Sequence, residues 1–279
     1  MSTLSSAWNL LERVAYNHGR KAGLTCLVLA ILYLWFPIFV VTFMSFAERE
    51  VLTFPPSSLT LDWYMVFLEN DAAISATITS LQISFITTPI AVALSVLIAY
   101  AIDRYVFPGK SILQLVAVLP IVVPLIVVGV AMTIFFGIVG IQASFWTVVA
   151  AHVIRVIPFT VLILVPTLVA FDRSLEEASY DLGANELTTF RKITVPNIMP
   201  GVVAAGLLAF TISFNEFVYT YFVKDARTQT LPTYLWDQLR QHATPEVNVI
   251  SVVFIVFAIS TVLIAVALTN VERITTHDG

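Results

Sequence analysis

Long apolar runs separated by short polar stretches dominate the chain. Six stand out, at roughly Leu24–Phe46, Ala72–Ile102, Ser111–Gly137, Phe145–Ala170, Gly201–Val223 and Asn248–Asn270. Each reaches the length of about 20 residues that an α-helix needs to cross about 30 Å of hydrocarbon at about 1.5 Å per residue. The pattern predicts an all-α membrane protein with six transmembrane helices. The first run is too long for the apolar part of a signal peptide. Phe46-Ala47-Glu48 follows it in place of a small-x-small cleavage site, so it is expected to stay as a membrane helix. Ahead of it, Trp8, Leu11 and Val14 recur at helical spacing among polar residues, which predicts a short helix in the membrane interface.

Composition agrees. Of the 279 residues, 58% are hydrophobic and 11% charged, and the mean hydropathy is +0.91, whereas about a quarter of residues are charged in an average soluble domain. A net charge of -4 gives no hint of nucleic-acid binding. The one cysteine, Cys26, falls in the first apolar run; it excludes an intramolecular disulfide and a cysteine zinc site and is expected to be a small core residue.

Outside the runs, Arg13, Arg20, Lys21, Arg104, Lys110, Arg173, Arg191, Lys192 and Arg273 fall on one side of the predicted membrane. Arg49, Lys224, Arg227 and Arg240 fall on the other. Positive charge concentrates in the cytoplasm, so both termini are expected inside. Residues 1–23 then form a cytoplasmic N-terminal segment, 24–270 the membrane domain with a cytoplasmic loop at 171–200, and 271–279 a cytoplasmic tail. Pro37, Pro89, Pro120, Pro124, Pro158, Pro166 and Pro200 lie in or beside the runs, and each invites a kink.

The loop at 171–200 carries the densest set of helix signals. Ser174 and Glu177 have the spacing of a capping box, Leu175, Ala178 and Leu182 make an apolar stripe, and Gly183 is placed for a left-handed C-terminal cap. Asn185 is placed to cap a second helix with a stripe of Leu187, Phe190 and Ile193, before Pro196 and Pro200 return the chain to the membrane. Two short helices joined by a glycine turn are predicted to project as a rigid knuckle.

Glu177-Ala178-Ser179, three residues, Gly183, nine residues, then Ile193-Thr194-Val195-Pro196 resembles the EAA loop of ABC importer permeases, with Ser179 and Val195 as small departures. Through Leu61-Asp62-Trp63-Tyr64, Phe107-Pro108-Gly109-Lys110, Asp181-Leu182-Gly183-Ala184 and Thr244-Pro245-Glu246-Val247-Asn248, the chain is similar to the second permease of the spermidine/putrescine branch, which also includes carriers of amino acids and opines. This resemblance implies a type I importer permease of the bacterial inner membrane. It implies as partners a cytoplasmic ABC ATPase dimer, a second, homologous permease, an external solute-binding protein and the lipid bilayer. Glu177, Ala178, Ser179, Gly183, Ile193 and Pro196 would then belong to the part that couples to the ATPase.

ATP and Mg are expected on those partners. The only P-loop-like stretch here, Gly109-Lys110-Ser111, has Arg104 where the first glycine should stand, so the chain is not itself expected to be an enzyme.

Two ionisable residues lie at membrane depth, where such groups are candidates for function: Arg155 and Glu216. Arg155 is placed about 15 Å deep and Glu216 about 10 Å below the outer surface. Ser213, Asn215 and Tyr219 surround Glu216 in sequence, and His152 shares a helical face with Arg155. Two readings stand. Glu216 takes the ammonium and Arg155 the carboxylate of a small zwitterion, or the two pair with each other or with the partner permease and fix packing. A lone arginine would repel a polyamine unless Glu216 neutralises it.

The polar stretch Lys224–Val247, with Trp236, Asp237, Arg240 and His242 in a short helix, has the place of a loop that meets a binding protein, or of a plain lid. His152 and His242 show no metal-ligand spacing. The alternative in another class is an ion-driven secondary transporter working through Glu216 and Arg155; it leaves the EAA-like loop unexplained and lacks the inverted repeat of broken segments.

Overall fold

Asn70 starts the main helical body: its side-chain oxygen accepts the backbone N–H groups of Ala72 and Ala73 at 3.1 and 3.2 Å. The structure, a computed structural model, describes residues 2–48, 54–241 and 245–275. Among these, regular structure is helical, apart from one isolated bridge between Ala47 and Leu59. The helices are α1 (Ser2–Met44), α2 (Asp62–Glu69), α3 (Asp71–Arg104), α4 (Lys110–Val122), α5 (Leu125–Ile138), α6 (Phe145–Ala170), α7 (Ser174–Asp181), α8 (Glu186–Thr189), α9 (Val195–Asn197), α10 (Met199–Phe214), α11 (Val218–Val223), α12 (Leu231–Gln241) and α13 (Glu246–Thr275). A π-helical turn, Phe190–Thr194, joins α8 to α9.

Contacts divide the chain into two units, 1–64 with 243–252, and 65–242 with 253–279. In the first, α1 is one continuous helix through the stretch where Trp8, Leu11 and Val14 predict a separate element, and their side chains lie outside those described. Cys26 is exposed on α1, contrary to the core placement expected of it. After α1 the chain folds back, with the Thr60 N–H bonding Phe46 O at 2.7 Å and the Ser45 hydroxyl 2.7 Å from that of Tyr64.

In the second unit α3 packs along α6, and α10 lies against both. Small residues set this seam. Ala91, Ser95 and Ala99 on α3 and Ala205 and Ala209 on α10 are fully buried at every fourth position. Such spacing lets helix backbones approach closely where lipid offers no hydrophobic drive. A Cβ on Gly201, one step further back on α10, would stand 2.5 Å from Thr167 Cγ2. Ser95 and Thr160 add a buried hydroxyl contact of 2.5 Å between α3 and α6.

Lys21–Met44, Asp71–Arg104 and Phe145–Ala170 are each long and apolar enough to cross a membrane. The predicted third run is bent sharply rather than continuous: α4 and α5 meet at 113°. Pro124 is the cause, since it brings no N–H to continue α4 and pushes Val123 into extended geometry (φ -76°, ψ 134°). The predicted fifth run is also interrupted, between α10 and α11, while Pro37, Pro89, Pro158 and Pro166 sit inside continuous helices.

Candidate functional site

The interruption between α10 and α11 holds Glu216. Asn215 helps end α10, because its side-chain amide donates to Thr211 O at 2.9 Å, the carbonyl its own backbone N–H also uses at 3.2 Å. Glu216 then begins the next helix: its Oε1 accepts the Tyr219 N–H at 2.8 Å, one of the donors a helix start leaves without an intrahelical partner. At the far end of α11 the Phe222 and Val223 carbonyls accept from the hydroxyls of Thr133 and Thr147, at 2.9 and 2.8 Å. This short piece is therefore pinned at both ends.

α6 supplies the other half. Arg155 Nε lies 3.3 Å from Glu216 Oε2, and its guanidinium sits 4.9 Å from the Phe159 ring centre. The Glu216 side chain is 6% exposed and that of Arg155 17%, so the pair is shielded yet open on the arginine side. One turn away, buried His152 places Nδ1 2.8 Å from Ser213 Oγ and Nε2 2.7 Å from Thr220 Oγ1. One imidazole thus ties the last turn of α10 to the first turn of α11.

Of the residues predicted for the pathway, the structure brings Arg155 and Glu216 together as an ion pair. Ser213 turns instead to His152, and Asn215 is exposed. Tyr219 is buried beside Ile83, Met132 and Val148 in the packed interior, and no partner meets its hydroxyl among the described atoms. α12 packs against α3 beside this region. The Leu231 N–H donates to Ser80 Oγ at 2.8 Å, and Trp236 stacks at 5.4 Å from Phe217. Trp236, Asp237 and Arg240 are in α12, as predicted, and His242 lies outside the described residues.

The knuckle has the predicted form. Gly183 sits at φ +83°; its N–H bonds Tyr180 O at 2.8 Å and the Ala184 N–H bonds Ser179 O at 3.1 Å, the paired bonds of a Schellman cap. Asn185 Oδ1 accepts the Thr188 N–H at 2.9 Å and starts α8. The predicted Ser174–Glu177 capping box is absent. Asp172 caps in its place, accepting the Ser174 N–H at 3.0 Å, and that bond holds its carboxyl below the usual carboxylate range.

Glu177 and Ala178 are exposed, and Ser179 bonds Thr189 across the hairpin at 2.9 Å. Ile193 lines an open apolar groove with Leu175, Ala178 and Leu182. Next to it the Val195 N–H reaches back five residues to Phe190 O, and Pro196 stands exposed at the start of α9.

The sequence reading missed two elements. One is His152 as a tie between helices. The other is Glu176, the buried neighbour of Glu177, whose Oε2 lies 2.8 Å from Arg104 Nε.

Long apolar helices, with an interruption at a shielded charge pair and a helical hairpin joined to them, are the features of a membrane-embedded protein. Residues 91–274 match the family described as the binding-protein-dependent transport system inner membrane component, and the chain belongs to that family. It is 33% identical over 239 residues to the spermidine/putrescine transport system permease protein PotC of Haemophilus influenzae, covering 85% of this chain and 92% of that protein. To the putrescine transport system permease protein PotI of Escherichia coli it is 30% identical, over 81% of this chain and 82% of that one. In fold it superposes with TM-score 0.73 and 15% identity on a chain of a bacterial ABC transporter involved in the import of the acidic polysaccharide alginate, covering 95% of this chain and 98% of that one.

Proposed function

We propose that this chain is the permease subunit through which an ATP-driven importer passes a small solute carrying an ammonium group, of the di- and polyamine kind. The observation that carries the reading is Glu216, a shielded carboxylate set where a membrane helix is interrupted, with one oxygen on the Tyr219 N–H and the other paired with Arg155. An arriving ammonium competes with the Arg155 guanidinium for the same oxygen, so the site binds a cation only by letting Arg155 go. The kinship with amine permeases supports this class of cargo. A zwitterion is the second reading, and Arg155 favours it: once displaced, the guanidinium is positioned to take a carboxylate.

Six spans with both termini in the cytoplasm, in the bacterial inner membrane, place the knuckle on the cytoplasmic side and α12 outside. In this arrangement α7 and the groove that Leu175 and Ala178 form with Ile193 of the π-helical turn dock on a separate ATPase dimer, which binds ATP and Mg. A second, homologous permease completes the pathway and an external binding protein delivers the cargo near α12.

The test is ATP hydrolysis by the assembled transporter in nanodiscs with its binding protein, across polyamines, basic and neutral amino acids and opines. Stimulation by spermidine or putrescine is the expected result. Stimulation confined to solutes that also carry a carboxylate would favour the zwitterion, and no stimulation by any solute would overturn the importer reading.

A further inference from the structure

At the end of α3 two acids and two bases form one chain of ion pairs, Arg173 to Asp103 to Arg104 to Glu176. Arg104 closes the helix with a side chain only 9% exposed. It contacts the adjacent Asp103 carboxylate, and its Nε lies 2.8 Å from Glu176 Oε2 on α7. The guanidinium also stands 5.8 Å from the Phe171 ring centre, at the start of the knuckle. Asp103 in turn takes Arg173 at 3.0 Å, and the other Glu176 oxygen accepts the Thr194 hydroxyl at 2.5 Å. Four segments therefore meet on one ion pair: the tip of α3, the 171–173 connection, α7 and the π-helical turn.

The π-helical turn makes the last contact possible. Ser179 and Glu176, three residues apart on α7, face Thr189 and Thr194, five apart on the returning segment. The wider turn carries Thr194 round to the face of Thr189, where an α-helix would have rotated it away. Such π-bulges recur at functional sites.

Burying an ion pair is a poor way to gain stability, because desolvating both charges offsets most of their attraction and an apolar pair of the same size often does as well. What an ion pair adds is direction: it fixes one register between the two groups and penalises the others. Here it joins the knuckle to α3, the helix that packs along α6, which carries Arg155 and His152.

We propose that Arg104 and Glu176 are positioning residues that form the joint through which the knuckle moves α3. Docking on the ATPase is left to the exposed face that bears Glu177. This rests on the importer reading above.

The test uses the complete transporter in proteoliposomes, with ATP hydrolysis and solute uptake measured in the same vesicles. Three forms of the joint are compared with Glu177→Gln: Glu176→Gln, the double variant Arg104→Met with Glu176→Leu, and the exchange Arg104→Glu with Glu176→Arg. The Met/Leu pair keeps the packing without the charges, so it assembles even if a single substitution does not. The expected result is that it retains basal hydrolysis while uptake per ATP falls at least about fivefold, the lower end of typical coupling between sites, and that the exchanged pair recovers part of the loss.

Wild-type uptake per ATP in the Met/Leu variant would overturn the joint and leave the importer reading intact. A loss in Glu177→Gln matched by none in Glu176→Gln would do the same. Absence of solute-stimulated hydrolysis in the unaltered chain would overturn the importer reading, and the joint with it.

Discussion

Arg155 and Glu216, 61 residues apart in the chain, meet at 3.3 Å where α10 gives way to α11. Each would be costly to leave unpaired where it is shielded, and together they compensate one another. Removing one partner leaves the other uncompensated, a change worth about 3–5 kcal/mol for a buried pair. Arg155→Ala and Glu216→Ala should each lower the thermal midpoint of the purified protein. Arg155→Met combined with Glu216→Gln should restore most of that midpoint but not solute-stimulated ATP hydrolysis. Full restoration of both would reduce the pair to packing.

His152 is expected to hold the interruption in shape. His152→Ala leaves the buried Ser213 hydroxyl without its ring partner, at about 1–3 kcal/mol for a group left unsatisfied, while the Thr220 hydroxyl keeps its bond to the Glu216 carbonyl at 3.2 Å. Amide hydrogen exchange should speed up across residues 213–220 and stay unchanged in the knuckle. An unchanged exchange pattern there would show that the imidazole does not hold the two helices.

Gly201 tests the seam. Gly201→Ala forces a methyl against Thr167, and overpacking of this kind costs about 1–3 kcal/mol. Adding Thr167→Ala should recover most of the loss in a thermal denaturation series. Non-interacting effects that simply add would contradict the close approach.

Gly183 tests the knuckle angle. At φ +83° an L side chain costs about 1–2 kcal/mol. Gly183→Val is expected to leave membrane insertion intact and to lower uptake more than basal ATP hydrolysis. Equal activity would mean that the turn does not set the docking geometry.

Much of this was legible in the sequence, and where it was not, the reason is physical. The knuckle could be read because Gly183 and Asn185 act locally: a left-handed cap and a side-chain cap need no distant partner. The bend at Pro124 was half legible, since a proline marks a break without giving its angle. Asn215-Glu216-Phe217 contains neither glycine nor proline, and the helix stops there through competition for the Thr211 carbonyl and a charge pair contributed by α6.

The choice between Glu176 and Glu177 turns on helix phase, which adjacent acids do not reveal. Ser174 looked like the cap, but Asp172 lies two residues earlier and bonds the same turn. In the sequence nothing pairs Arg104 with an acid; the fold puts Glu176 against it.

The most direct test of the central claim is uptake of labelled spermidine into proteoliposomes holding this chain, its partner permease, the ATPase and the binding protein. The account predicts uptake that requires ATP and the binding protein, continues when ionophores collapse the ion gradients, and is abolished by Glu216→Gln. Uptake that runs without the ATPase and stops with the ionophores would contradict it and identify a carrier driven by an ion gradient.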